Sequence, residues 1–205
     1  VKRLSLLVLS CFVLGLFLGC AGPKVKVGNQ KVIETSGSKP DWLIKIPETK
    51  GGKAYFRGIK TNAPTLEGAL TDARMSASRQ VAEMSKTEAN IDYENARVER
   101  GIAKDDRAIG SVIKDGIIML SDALVQGLKE SESYYEKVEE TTQTGVIYFY
   151  NYQILTTITE EDYKRVANSV YEKQIAKARE ENNKKAEDFL SSMKEDIQKK
   201  KLFQE

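Results

Sequence analysis

The sequence predicts an α+β fold: a small antiparallel sheet with two helices packed on one face, followed by a long C-terminal helix. Three observations carry this. Along Gly145–Thr159, Val146, Tyr148, Tyr150, Tyr152, Ile154 and Ile158 fall on one side of a two-residue repeat, the period of a strand. Leu66, Ala69, Leu70, Ala73, Ala77, Val81 and Met84 recur at three- and four-residue steps, the period of one helix face. From Glu160 onward the chain is rich in charge, with apolar stripes at helical spacing.

The chain opens differently. Lys2 and Arg3 precede an apolar run, Leu4 to Leu18, that ends in Gly19-Cys20-Ala21-Gly22. A basic head, an apolar centre shorter than a typical spanning helix and small residues at its end describe an export signal. Gly19-Cys20 makes that signal similar to the bacterial lipoprotein type. In that type the cysteine thiol receives a diacylglyceryl group, and the peptide is cut before the cysteine. Residues 1–19 are thus expected to be a signal peptide and Cys20 the lipidated residue. Two or three acyl chains would hold the protein firmly, because each buried methylene contributes about 0.8 kcal/mol. Residues 20–39 are polar and contain Gly and Ser, and read as a flexible tether.

The folded part then runs from 40 to 165. Pro40-Asp41-Trp42 opens it, with the only tryptophan expected to plug one end of the core. Pro47 and Gly51-Gly52 mark a turn, and Lys53–Lys60 reads as a strand. Gly58 inside it predicts a bulge or a close helix above it. Asn62-Ala63-Pro64-Thr65 is a helix start signal, and the alanine stripe that follows lets the helix lie close against a sheet. Residues 88 to 104 fit a strand through Ile91, Tyr93 and Val98, or a continued helix through Ile91, Asn95, Val98 and Ile102. A second helix is capped by Asp105 or Asp106 and presents Ile109, Val112, Ile113, Ile117, Leu120, Leu124 and Leu128, with Gly127 near its end. Ser133–Thr141 and Gly145–Thr159 make an antiparallel hairpin about the turn Thr142–Gly145. Its tyrosine row reads as cross-strand packing rather than a carbohydrate platform. Residues 166–205 are expected to form a charged helix, with Phe189, Leu190, Met193 and Ile197 as a second apolar stripe. Such a helix either pairs with another chain or remains a solvated arm.

Composition narrows the chemistry. The chain has no histidine, and its two cysteines are Cys11, inside the signal, and Cys20. Disulfides within the mature chain, Cys/His zinc sites and His- or Cys-based triads are excluded. Without Lys2 and Arg3 the basic residues number 30, equal to the 30 acidic ones, which argues against nucleic acid as a partner. Asp105-Asp106 are adjacent and point to different sides of a helix, so they are not a catalytic pair. Gly51-Gly52-Lys53 lacks the spacing of a phosphate loop. No catalytic, cofactor or metal signature is visible.

Taken in order, Cys20, Pro40-Asp41-Trp42, Tyr55-Phe56-Arg57-Gly58-Ile59, the Ala69/Ala73/Ala77 helix and Tyr148-Phe149-Tyr150-Asn151-Tyr152-Gln153-Ile154-Leu155 resemble small bacterial outer-membrane lipoproteins of the Lpp-twenty family. The resemblance covers about residues 40 to 165. It implies a compact α+β domain, no enzymatic activity, and membrane attachment through acyl chains on Cys20. It implies relatives among flagellar outer-membrane lipoproteins that assemble into disks or rings. The expected function is a structural or assembly component of the outer membrane, as a homo-oligomer or with an envelope protein partner, facing the periplasm. Ala21 does not resemble the aspartate that retains lipoproteins on the inner membrane. The alternative is a periplasmic binding or regulatory lipoprotein, for example an activator of a cell-wall synthase.

Overall fold

The structure, a computed structural model, describes residues 26–49 and 51–203. The expected signal and Cys20 lie outside the described residues. Four strands form one antiparallel sheet: β1 (Gln30–Thr35), β2 (Lys53–Ala63), β3 (Lys129–Thr142) and β4 (Gly145–Thr159), in the order β1-β3-β4-β2. Four helices accompany it: α1 (Leu66–Glu99), α2 (Arg107–Gln126), α3 (Glu160–Glu180) and α4 (Lys184–Lys199). The α+β class is as the sequence predicts.

β3 and β4 pair along their whole length, from Lys129 opposite Thr157 to Thr142 opposite Gly145. Their tight loop is Gln143-Thr144, closed by the Thr142 hydroxyl donating to the Gly145 carbonyl at 2.8 Å. β2 pairs with the other side of β4, Lys53 opposite Thr159 and Ala63 opposite Tyr150. α1 follows at once. Thr65 caps it, its side chain accepting from the Gly68 amide at 3.1 Å. Ala69, Ala73 and Ala77 are fully buried against Ala63, Tyr152 and Ile154. Contact is close because Gly58 of β2 has no side chain: a Cβ there would stand 2.0 Å from the Ala73 carbonyl oxygen. Of the two readings of Gly58, the close helix is the one observed.

α1 has 34 residues, about 50 Å of helix. Its first half covers the sheet. Its second half, with Val81, Ala89, Tyr93 and Ala96 buried, runs on among the other helices. That settles the ambiguous stretch 88–104: helix continues to Glu99, and Gly101 with φ of 62° turns the chain. Asp106 is the cap that starts α2, accepting from the Ile109 amide at 3.1 Å. The extensive contacts of α2 are with α1, α3 and α4 rather than with strands, so the two helices expected on the sheet narrow to one.

Two other expectations change. The long C-terminal helix is two helices, α3 and α4, packed on each other. Asn182, with φ of 54°, reverses the chain, and Asn183 caps α4 by accepting from the Ala186 amide at 3.1 Å. Polarity around Arg179–Lys185 marks this turn and not a solvated helix. The predicted stripe Phe189, Leu190, Met193 and Ile197 is buried in the same core as α1, α2 and α3, so residues 166–203 belong to the domain and are not an arm. At the other terminus, residues 30–35 of the expected tether form edge strand β1, paired with β3 from Gln30 opposite Glu140 to Thr35 opposite Glu136. The β-branched pair Val32-Ile33 suits a strand, though every residue of β1 is exposed.

Trp42 sits in a short 3-10 turn, Asp41–Leu43, on the sheet face away from α1. It is 5% exposed, packs with Tyr134 and Leu155, and donates its indole N–H to Glu132 Oε2 at 2.8 Å. Arg57 of β2 holds this turn by donating to the Leu43 carbonyl at 2.6 Å. The tryptophan therefore plugs the back of the sheet.

Candidate functional site

The helical end of the molecule is filled with its own side chains. Tyr93, Tyr163 and Leu190 are at most 2% exposed. Gly116 of α2 makes room for a polar contact in this core: a Cβ there would stand 2.2 Å from the Tyr93 hydroxyl oxygen. The Tyr93 hydroxyl donates to Gln174 Oε1 at 3.4 Å, and Gln174 Nε2 donates to the Val112 carbonyl at 3.1 Å. Burial pushes the phenols of Tyr93, Tyr163 and Tyr171 well above the ordinary tyrosine range, so all three stay neutral hydrogen-bonding groups. The network ties α1, α2 and α3 together.

Surface charges pair across the elements. Lys129 of β3 and Arg165 both reach Asp162 in the first turn of α3, at 2.8 and 2.6 Å. Their hydrogen bonds hold the Asp162 carboxyl down at about 2. Asp106 is held low by its hydrogen bond to Lys185, then by the Ile109 amide. The second of the two candidate acids is thus a helix cap and a strut between α2 and α4. A cleft of about 330 Å³ between α1, α3 and α4 is lined by Asp92, Asn95, Tyr171, Asp196 and Lys200. Its charges are already matched, Lys200 with Asp92 at 2.6 Å and Asp196 with Arg100 at 2.8 Å. Among the described residues no group of three or more His, Cys, Asp or Glu is placed to hold a metal ion.

The opposite end is built otherwise. α1 begins beside Ala63, which faces Tyr150, so none of the described helices lies over the strands beyond that point. Here β1, the end of β3 and the start of β4 lie side by side. Val146, Ile147 and Tyr148 are each about half exposed, and Val27, Val32 and Ile33 beside them are exposed too. Lys137 places its ammonium 5.6 Å from the Tyr148 ring centre and 5.8 Å from that of Tyr150. Further in, Tyr135 stacks on Tyr152 with ring centres 6.0 Å apart and meets Tyr150 edge-on at 6.3 Å. The tyrosine row is therefore packed within itself at its inner end and open only at Tyr148.

The chain enters the fold at this same end. The Gly28 amide donates to the Thr141 carbonyl at 2.7 Å, and the Thr141 amide donates to the Asn29 carbonyl at 3.1 Å. Cys20, the predicted lipidation residue, lies eight positions before Gly28 and outside the described residues. The sequence reading did not connect Cys20 with the hairpin. Val32-Ile33 was the available signal, and its polar neighbours masked it. No helix among the described residues is long and apolar enough to cross a membrane. Comparisons of the chain with protein-family models, with curated proteins and with solved structures find no match.

Proposed function

We propose that this protein is a non-enzymatic, lipid-anchored component of the bacterial outer membrane, acylated at Cys20 and acting in assembly of the envelope from the periplasmic side. The observation that carries the reading is the stretch from Lys2 to Cys20: basic head, short apolar run, then Gly19-Cys20. Support for attachment comes from Gly28 and Asn29, which join the sheet beside Thr141 at an end that none of the described helices covers. Support for assembly comes from the sheet order, which leaves β1 and β2 as open edges. An edge strand offers unpaired backbone groups to a second copy or to an envelope partner. The flagellar association implied by the resemblance is part of the same proposal.

The test is the substitution Cys20→Ala, followed by fractionation of cells and measurement of whether the signal has been removed. The anchored reading expects the wild type in the outer-membrane fraction. Cleaved Cys20→Ala protein that stays with membranes would contradict it. Crosslinking in cells, with purification through a tag after Glu205, then separates self-association from capture of an envelope partner.

A further inference from the structure

We infer that the bare end of the sheet rests on the lipid surface, with Val146, Ile147, Tyr148 and Val27 at the level of the headgroups and the helical end pointing away from it. The inference rests on acylation of Cys20 and adds an orientation and a second contact to it.

Chain length is the first argument. Gly28 is pinned to Thr141 at the hairpin end. Cys20 lies eight positions before it, and a fully extended chain spans about 3.3–3.6 Å per residue. Cys20 is therefore within roughly 30 Å of the hairpin end, whatever path the connection takes. Along β4 the distance from Val146 to Ile158, where the strand joins the helical core, is about 40 Å at 3.3 Å per residue. A connection that short does not let the helical end lie on the membrane with the hairpin pointing away. The hairpin end is the part that meets the surface.

Chemistry is the second argument. Val27, Val146, Ile147 and Tyr148 are 57%, 50%, 48% and 51% exposed, on a stretch that none of the described helices reaches. An apolar tip with a tyrosine beside it is the composition that favours the interface between water and hydrocarbon. Depth is limited by charge. Glu140 lies opposite Ile147 and Glu139 opposite Tyr148, about two and three positions in from the turn. Gln30 Nε2 donates to Glu140 Oε2 at 3.0 Å, which keeps that carboxylate at the strand surface. Two carboxylates at that level stop the tip at the headgroups.

The experiment uses the full acylated chain purified from membranes. Acylation leaves no free thiol in the mature chain, so Ile147→Cys and, on the exposed side of α2, Lys114→Cys each carry one environment-sensitive fluorophore. Each protein is placed on vesicles of phosphatidylethanolamine and phosphatidylcholine containing a quencher attached at the headgroup. Thermal unfolding first checks that both variants are folded. The expected result is flotation of both proteins, with at least threefold stronger quenching at position 147 than at 114. Flotation with equal, weak quenching at both positions overturns the orientation while leaving the anchor in place. Failure to float overturns the anchor and the orientation together. A concentration-dependent blue shift at position 147 in detergent without vesicles would assign the tip to a second copy and overturn the lipid contact.

Discussion

The helical end and the hairpin end of this molecule carry similar side chains and treat them in opposite ways. Tyr93, Tyr163 and Tyr171 are enclosed by three or four helices, whereas Tyr148 stands half in solvent on a strand of the same chain. Val81 and Leu190 are fully buried; Val146 and Ile147 are not. Residue type alone does not decide burial. At the helical end helices pack over the buried positions, whereas α1 covers its face of the sheet only from Ala63 inward. Beyond that level Val138 and Phe149 are buried while Val146, Ile147 and Tyr148 are about half exposed. Those three exposed residues are the ones the proposed lipid contact uses.

The comparison can be broken at its joint. Gly58→Val drives a branched side chain into the Ala73 carbonyl, and we expect a loss of about 4 kcal/mol or failure to fold, measured by urea unfolding. Leu190→Ala, in the helical core, should cost about 3 kcal/mol. If that variant unfolds like the wild type, the helical end is not the stable part of the molecule. Tyr93→Phe removes a hydroxyl fitted against Gly116 and Gln174, and should lower stability by about 1 kcal/mol.

A smaller effect depends on pH. Lys129 and Arg165 keep Asp162 ionised down to about 2, below its ordinary 3.8. Its contribution is present above pH 4 and is lost as pH falls toward 2, because the unfolded chain takes up the proton first. The loss should be less than ~1 kcal/mol, since solvent screens the pair. Asp162→Asn should flatten that part of an acid-unfolding curve; an unchanged curve would assign the slope to other carboxylates. The smallest effect belongs to the hairpin end. Ile147→Ser should change stability by no more than about 0.5 kcal/mol, checked by the same urea titration, because the side chain is already about half exposed.

Much of the helical end was legible in the sequence. The alanine stripe, Gly58, Thr65 and Asp106 each carry a local rule, and each acts in the structure as that rule requires; Gly127 ends α2 as expected, but with φ of −87° it does not use the left-handed freedom of glycine. The break between α3 and α4 was hidden because Asn182-Asn183 is embedded in charges that also suit an exposed helix, and asparagine turns a chain without the glycine that usually marks the place. β1 was hidden for a related reason. An edge strand exposed on both faces has no alternation to read, since neither face is buried. Trp42 was expected in a core and is in one, but its side of the sheet depended on pairing between strands far apart in sequence. Cys20 is proposed as the lipidation residue from local sequence chemistry alone and lies outside the described residues, while the entry of the chain at the hairpin end follows only from the pairing of Gly28 and Asn29 with Thr141.

The central claim is that Cys20 is where this protein meets the membrane. The most direct measurement is the mass of the N-terminal peptide of the protein extracted from membranes. A chain that begins at Cys20 and carries a diacylglyceryl group, with or without an acylated amine, is the predicted result. An unmodified Cys20, whether the peptide is cleaved elsewhere or still carries residues 1–19, would contradict it.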